Sequence, residues 1–199
     1  MRKIINSTYI SLDGVIERPH EWPSLATRGS GGDDVQTQLV LSCDAMLMGR
    51  RTYDGFAPVW PTRSGDPMSD HINAMPKYVV SATLTDPQWT NTTVINGDPI
   101  DAIRRLKEAD GKDIVQYGFG QLSYALLENG LLDELRLWVH PIFVGIAATE
   151  DLLFRPGAAA LFELLDTQTL GNGIVILSYR VQRTKAESPT QSREETPKA

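Results

Sequence analysis

The chain has 199 residues, 41% of them hydrophobic and 22% charged, a composition that excludes fibrous, mucin-like and disordered classes and suits one soluble globular domain. With 19 Lys and Arg against 25 Asp and Glu, the formal charge is -6, so no broad basic field exists to collect a phosphate backbone, and nucleic acid is not an expected partner. No apolar run approaches the roughly 18 residues that span a bilayer, and the polar strand pattern at the start is not a secretory core, which predicts a cytoplasmic protein without membrane contact.

In chain order, Lys3 to Ser11 alternates as a strand, and Leu12 to Gly32 is a long loop rich in Gly, Pro and Trp, a length that invites a functional explanation. Asp33 or Asp34 is placed to cap a helix over Val35 to Ser42. The lone Cys43 lies in an apolar stretch and reads as a buried thiol. Ala45 to Met48 is a short strand ending at Gly49, with a helix from Arg50. Trp60 to Pro67 is a loop, Ser69 to Ala74 a short helix, and Lys77 to Ser81 and Thr92 to Ile95 are strands.

Asp98 caps a helix with Pro99 at its first position and apolar Ile100, Ile103 and Leu106 at helical spacing. Asp113 to Tyr117 is a strand, Gly118 to Gly120 a turn, and Gln121 to Glu128 a helix closed by Asn129 and Gly130. Leu135 to Val144 is a strand, followed by a hairpin of Phe162 to Leu170 and Ile174 to Val181 around Gly171-Asn172-Gly173. This order predicts an α/β domain over residues 1–183, with a mixed, mostly parallel sheet, helices on both faces and an antiparallel ending. Thr184 to Ala199 has no aromatic residue and balanced charge, and reads as a disordered tail.

Two turns at strand-to-helix junctions carry the candidate chemistry. In Gly49-Arg50-Arg51-Thr52, exposed amides, two guanidinium groups and a hydroxyl suit a phosphate in an otherwise acidic chain; solvated surface arginines are the plainer alternative. Gly118-Phe119-Gly120-Gln121-Leu122-Ser123 lacks the third glycine of a dinucleotide fingerprint, but glycines still allow amides to approach a phosphate closely. His20, His71 and His140 have no partner at metal-ligand spacing, and no nucleophile elbow or Walker loop is present. Cofactor binding is what remains, with no metal.

Three series, Ser11-Leu12-Asp13-Gly14-Val15-Ile16, Leu47 to Tyr53, and Tyr117 to Leu122, with Leu131 to Leu137 and His140-Pro141 in support, resemble the dihydrofolate reductase superfamily. The nearer likeness is to the C-terminal reductase domain of the bifunctional riboflavin-pathway deaminase-reductase, over Met1 to about Arg183. This resemblance implies a sheet of about eight strands, NADPH as cofactor, and hydride transfer to 5-amino-6-(5-phosphoribosylamino)uracil or a related heterocycle. It sets Gly49, Arg50, Arg51 and Thr52 against the adenosine 2′-phosphate and pyrophosphate, with Thr52 capping its helix. Ser81, Ala82 and Thr83 match the loop at the adenine ribose phosphate, and Gly118, Phe119, Gly120, Gln121 and Leu122 the pyrophosphate loop.

Tyr9, Ser11 and Ile16 would border the nicotinamide, with Asp13-Gly14 shaping a mobile loop over it. Trp22, Phe56 and Trp60 are substrate candidates by position, and Asp34 or Asp33 stands near the place of the carboxylate that folate reductases carry on their first helix. No Thr occurs in Leu137 to His140 to partner such an acid, which argues against dihydrofolate as substrate. Two alternatives stand beside the reductase: a protein of the same fold that binds NADPH without turnover, and a dimerisation module using Leu135 to Val144 as an edge strand. A homodimer is the expected assembly.

Overall fold

The structure, a computed structural model, describes residues 1–23, 31–145 and 148–182. Its strands are β1 (Ile4–Ser11), β2 (Cys43–Gly49), β3 (Lys77–Val80), β4 (Thr92–Ile95), β5 (Asp113–Tyr117), β6 (Glu134–His140), β7 (Leu161–Thr169) and β8 (Val175–Gln182). The helices are α1 (Gly32–Ser42), α2 (Arg50–Phe56), α3 (Pro67–Ala74), α4 (Pro99–Glu108) and α5 (Gln121–Glu128). The strands form one sheet in the order β4-β3-β2-β5-β1-β6-β8-β7. Neighbours from β4 to β6 run parallel, and β8 pairs antiparallel with both β6 and β7.

Because side chains alternate across a strand, the central strands divide their apolar residues between two cores. Ile4, Ala45, Leu47 and Ile114 pack with Ile103 of α4 and Leu126 of α5. Ile5, Met46, Met48 and Val115 pack on the other face with Leu39 and Val40 of α1 and Ile72 of α3. Both faces are therefore covered at the centre, which is why these strands read as nearly continuous apolar runs. Among the described residues no helix is long and apolar enough to cross a membrane.

Asp98 caps α4 as the sequence predicts, accepting from the amides of Ile100 and Asp101 at 2.9 and 3.3 Å. Three local expectations are corrected. The N-cap of α1 is Gly31, at φ +107, so Asp33 and Asp34 stand inside the first turn, where their charge complements the helix dipole. Pro67 is already helical, because Asp66 caps α3 through the Ser69 amide at 2.9 Å. β6 stops at His140 and lies between β1 and β8, so Leu135 to Val144 is no edge strand; the edges are β4 and β7. The predicted tail, Thr184 to Ala199, falls outside the described residues.

Candidate functional site

Parallel strands place all their carboxyl ends at one rim of the sheet, the usual place for ligands in open α/β folds. β2 lies between β3 and β5, so Gly49, Ser81 and Gly118 follow adjacent strand ends. The two glycine turns touch: the Thr52 hydroxyl donates to the Tyr117 carbonyl at 3.3 Å. Thr52 therefore ties α2 to β5, and no side chain caps α2, whose N-cap is Gly49. Together the turns wall one cleft of about 670 Å³, with Gly49, Arg50, Arg51 and Thr52 on one side and Gly118, Phe119, Gly120, Gln121 and Leu122 on the other.

The glycine turn is held from below by β1. Asn6, fully buried, donates to the Gly118 carbonyl at 2.8 Å and to Gln116 Oε1 at 3.1 Å, while accepting from the Thr8 hydroxyl at 2.7 Å. Ser123 donates to the same Gly118 carbonyl at 3.1 Å. Gly118 has φ +75, and a Cβ there would stand 3.0 Å from Thr52 Oγ1. A Cβ on Gly49 or Gly120 would meet nothing within 4 Å, so both open onto free space. Phe119 is buried edge-on against Tyr124, centroids 5.0 Å apart, so its ring packs into the core while the residue still borders the cleft.

The arginines are anchored at the cleft lip. Arg50 Nε donates to both Asp54 carboxylate oxygens, at 2.7 and 2.9 Å, and its Nη1 reaches Thr83 Oγ1 at 3.3 Å. Arg51 lies 3.6 Å from Glu17. Ser81 is buried and accepts from the amides of Thr83 and Leu84 at 3.2 and 3.1 Å, which shapes the turn through Ala82 and presents Thr83 to Arg50. Arg155 covers the Tyr124 ring at 5.0 Å and lines the same cleft beside Phe154. Nothing in the sequence pattern singled out these two, because they come from a loop distant in the chain.

Beside the cleft, and sharing Glu17 with it, lies a smaller cavity of about 350 Å³ lined by Val15, Trp22, Phe143 and Asp151 among others. Trp22 is buried against His140 at 5.4 Å, and His140 against Tyr9 at 5.0 Å. Tyr9, Ile16 and Ser11 therefore do not wall the large cleft. Ile16 is buried in the core, its amide donating to the Asp151 carbonyl at 2.8 Å. Phe56 and Trp60 pack together at 5.9 Å, and Phe56 meets Tyr117 at 5.5 Å.

Under this aromatic group runs a polar network not foreseen in the sequence. Gln36 of α1, buried, donates to Ser7 Oγ at 3.2 Å and to the Tyr9 hydroxyl at 3.3 Å, and accepts from the Tyr117 hydroxyl at 3.3 Å. Trp138 Nε1 donates to Ser7 at 3.1 Å. Burial pushes the Tyr117 hydroxyl far above its ordinary pKa. Asp34 is exposed; the inward position on α1 belongs to a neutral amide, not to a carboxylate. The available signal was the run Asn6-Ser7-Thr8 inside a central strand, since buried polar groups need partners.

Asp13 is fixed rather than poised. Its carboxylate accepts from the Ser11 hydroxyl and from the Gly145 and Val144 amides at 2.8 and 3.2 Å. Those donors, the Ser11 hydroxyl foremost, hold its pKa down at about 2. The Gly14 carbonyl accepts from the Leu153 amide at 2.9 Å. Cys43 is buried and free, its thiol pushed up to about 11 by burial, and is no nucleophile.

Residues 2–176 match the model of the RibD C-terminal domain family. A Bacillus subtilis (strain 168) protein, the uncharacterized YyaP, is 27% identical over 186 residues, covering 89% of this chain and 94% of its own. A putative riboflavin biosynthesis protein from Shewanella sp. PV-4 superposes with a TM-score of 0.68 at 21% identity, over 91% of this chain and 99% of that one. A pyrimidine reductase-like protein from Corynebacterium diphtheriae gives 0.62 at 14% identity, over 92% and 93%. A diaminohydroxyphosphoribosylaminopyrimidine deaminase/5-amino-6-(5-phosphoribosylamino)uracil reductase from Thermotoga maritima gives 0.62 at 12% identity, over 91% of this chain but 57% of its own.

Proposed function

This chain belongs to the RibD C-terminal domain family, and from that premise and the chemistry of the cleft we propose that it is an NADPH-dependent reductase of the riboflavin-pathway type. Its substrate is a planar heterocycle such as 5-amino-6-(5-phosphoribosylamino)uracil. The observation that carries the reading is the meeting of two amide-bearing turns and two arginines on one cleft. NADPH fits these residues: Gly49 and Gly120 leave open space where any other residue would set a Cβ, and Arg50, Arg51 and Thr83 offer donors for a phosphate at the lip.

Arg50 and Arg51 would hold the adenosine 2′-phosphate, and the amides from Gly120 to Leu122, at the start of α5, the pyrophosphate. When bound, NADPH supplies the hydride; the protein's part is to orient the rings and exclude water. Tyr117 lines the cleft, and its hydroxyl donates to the buried Gln36 amide behind it. Asp13, with its pKa held at about 2, is an anion at neutral pH and donates no proton.

Calorimetry with NADPH, followed by its oxidation in the presence of pteridine, pyrimidine and quinone substrates, tests the proposal. Saturable binding with turnover on a pyrimidine is the expected result. Binding without oxidation of any substrate would establish instead a non-catalytic NADPH-binding protein, and absence of binding would end both readings.

A further inference from the structure

Six asparagines occur in the chain, and three of them precede glycine: Asn96-Gly97, Asn129-Gly130 and Asn172-Gly173. Such a pair can react with itself. The backbone nitrogen of the glycine attacks the asparagine Cγ and closes a five-membered succinimide, and glycine hinders this least because it has no Cβ and the widest choice of backbone angles. The sequence treats the three pairs alike; the fold does not.

At Asn129, which closes α5, the side-chain amide donates to the Ala125 carbonyl at 2.8 Å. The Gly130 amide, which would have to attack, donates to the Leu127 carbonyl at 3.1 Å from left-handed backbone at φ +65. At Asn172, in the turn between β7 and β8, Oδ1 accepts from the Ile174 amide at 3.3 Å and the Gly173 amide donates to the Leu170 carbonyl at 3.0 Å. In both pairs nucleophile and target are engaged elsewhere. Asn96 differs on each point. It is exposed, as is Gly97; neither its side chain nor the Gly97 amide has a hydrogen-bond partner among the described residues; and a Cβ on Gly97 would meet nothing within 4 Å. The restraints resume on either side, where the Ile95 carbonyl accepts from the Ser81 amide at 3.1 Å and Asp98 caps α4.

We propose that Asn96 is a modification site, at which the chain deamidates spontaneously in water. The Gly97 nitrogen bonds to Asn96 Cγ, the Cγ–Nδ2 bond breaks, and Nδ2 leaves as ammonia with the proton that the Gly97 nitrogen gives up. Water then opens the ring at one carbonyl or the other, to aspartate or to isoaspartate, in which the main chain runs through Cγ. Nothing is oxidised or reduced, and the chain becomes one charge more negative than its formal -6. The new carboxylate stands beside the cleft lip. Asn96 follows Ile95, whose carbonyl holds the Ser81 amide, and Ser81 shapes the turn that presents Thr83 to Arg50. This consequence, unlike the modification itself, rests on the proposed function: with the 2′-phosphate at that lip, a like charge opposes NADPH more than NADH.

Peptide mapping by mass spectrometry tests the site on the full chain aged in warm, mildly alkaline buffer, with Asn96→Asp and Gly97→Ala beside the wild type; thermal melts confirm that both variants fold. The wild type is expected to exchange one amide for a hydroxyl at Asn96 ahead of Asn129 and Asn172, with isoaspartate among the products. Gly97→Ala should slow that exchange several-fold, and Asn96→Asp should show none at this position. Conversion of Asn129 or Asn172 first, an Asn96 peptide unchanged by ageing, or a Gly97→Ala chain that converts as fast as the wild type would overturn the inference. Calorimetry reads the consequence separately. β4 and β2 are two strand spacings apart, so Asn96→Asp should weaken NADPH by roughly 2- to 3-fold, the effect of a screened like charge at that distance, and NADH by less. Equal effects on the two nucleotides, with conversion at Asn96 observed, would count against the placing of the 2′-phosphate and leave the modification standing.

Discussion

Replacing Arg50 and Arg51 with Ala should separate NADPH from NADH if the proposed role holds, because only the former carries the 2′-phosphate assigned to these guanidiniums. The two are not equivalent. Arg50 is held by two bonds to Asp54 and one to Thr83, so its fork is preorganised where it lines the cleft. Its side chain is 41% exposed, against 73% for Arg51, whose contact with Glu17 is a loose 3.6 Å. A charge-assisted hydrogen bond contributes about 1.5–3 kcal/mol when shielded and well under that when exposed. We therefore expect Arg50→Ala to weaken NADPH by about 2 kcal/mol, roughly 30-fold, and Arg51→Ala by about 1 kcal/mol, roughly 5-fold. NADH should change by less than about 3-fold, since its pyrophosphate relies on the other turn. Calorimetric titration of both nucleotides against each variant is the assay. Equal losses for the two nucleotides would refute the phosphate assignment, and a larger loss from Arg51 would refute the preorganisation argument.

Gly118→Ala should destabilise the fold by about 1–2 kcal/mol, since it forces a Cβ into left-handed backbone 3.0 Å from Thr52 Oγ1, whereas Gly49→Ala, at φ -81 and facing open space, should stay within about 0.5 kcal/mol; thermal melts compare them. Asn6→Leu leaves the Gln116 and Thr8 partners of a fully buried amide unsatisfied, which should cost about 2–3 kcal/mol, lower Tm by roughly 4–10 °C, and weaken NADPH beyond what stability explains. Asp13 has its pKa depressed from 3.8 to about 2, so its stabilisation is present above pH 3.8 and lost as the pH falls toward 2. Acid unfolding should therefore show wild type ahead of Asp13→Asn at neutral pH and the two converging near pH 2; a constant gap would contradict the linkage.

The sequence disclosed what depends on local chemistry. The caps at Asp98, the glycine turns and the strands β3, β4 and β5 stand where period and punctuation put them, because each is decided within a few residues. The α1 cap failed for an instructive reason: Asp33 and Asp34 suit an N-cap, but the left-handed Gly31 before them starts the helix a turn earlier. Likewise Thr52 has the residue type of a helix cap and Phe119 stands in a glycine turn, yet tertiary packing assigns one to a β5 carbonyl and the ring of the other to the core. Such partners are dozens of positions away, and no short-range pattern reports them.

The same separation of scales explains the polar network behind the cleft. Gln36 is one polar residue on a weakly amphipathic helix, and nothing in its neighbourhood distinguishes it from Gln38, which is exposed. Its role follows only when the sheet order sets β1 beside β5, bringing Ser7 and Tyr9 of one strand and Tyr117 of the other to one amide. An amide both donates and accepts without changing charge, so it can satisfy three hydroxyl-bearing neighbours across the whole physiological pH range. A carboxylate in its place could only accept when ionised, leaving the shared hydroxyl pattern to be rebuilt around a buried charge. The network is thus built to stay neutral while it holds Tyr117, which lines the cleft, in place.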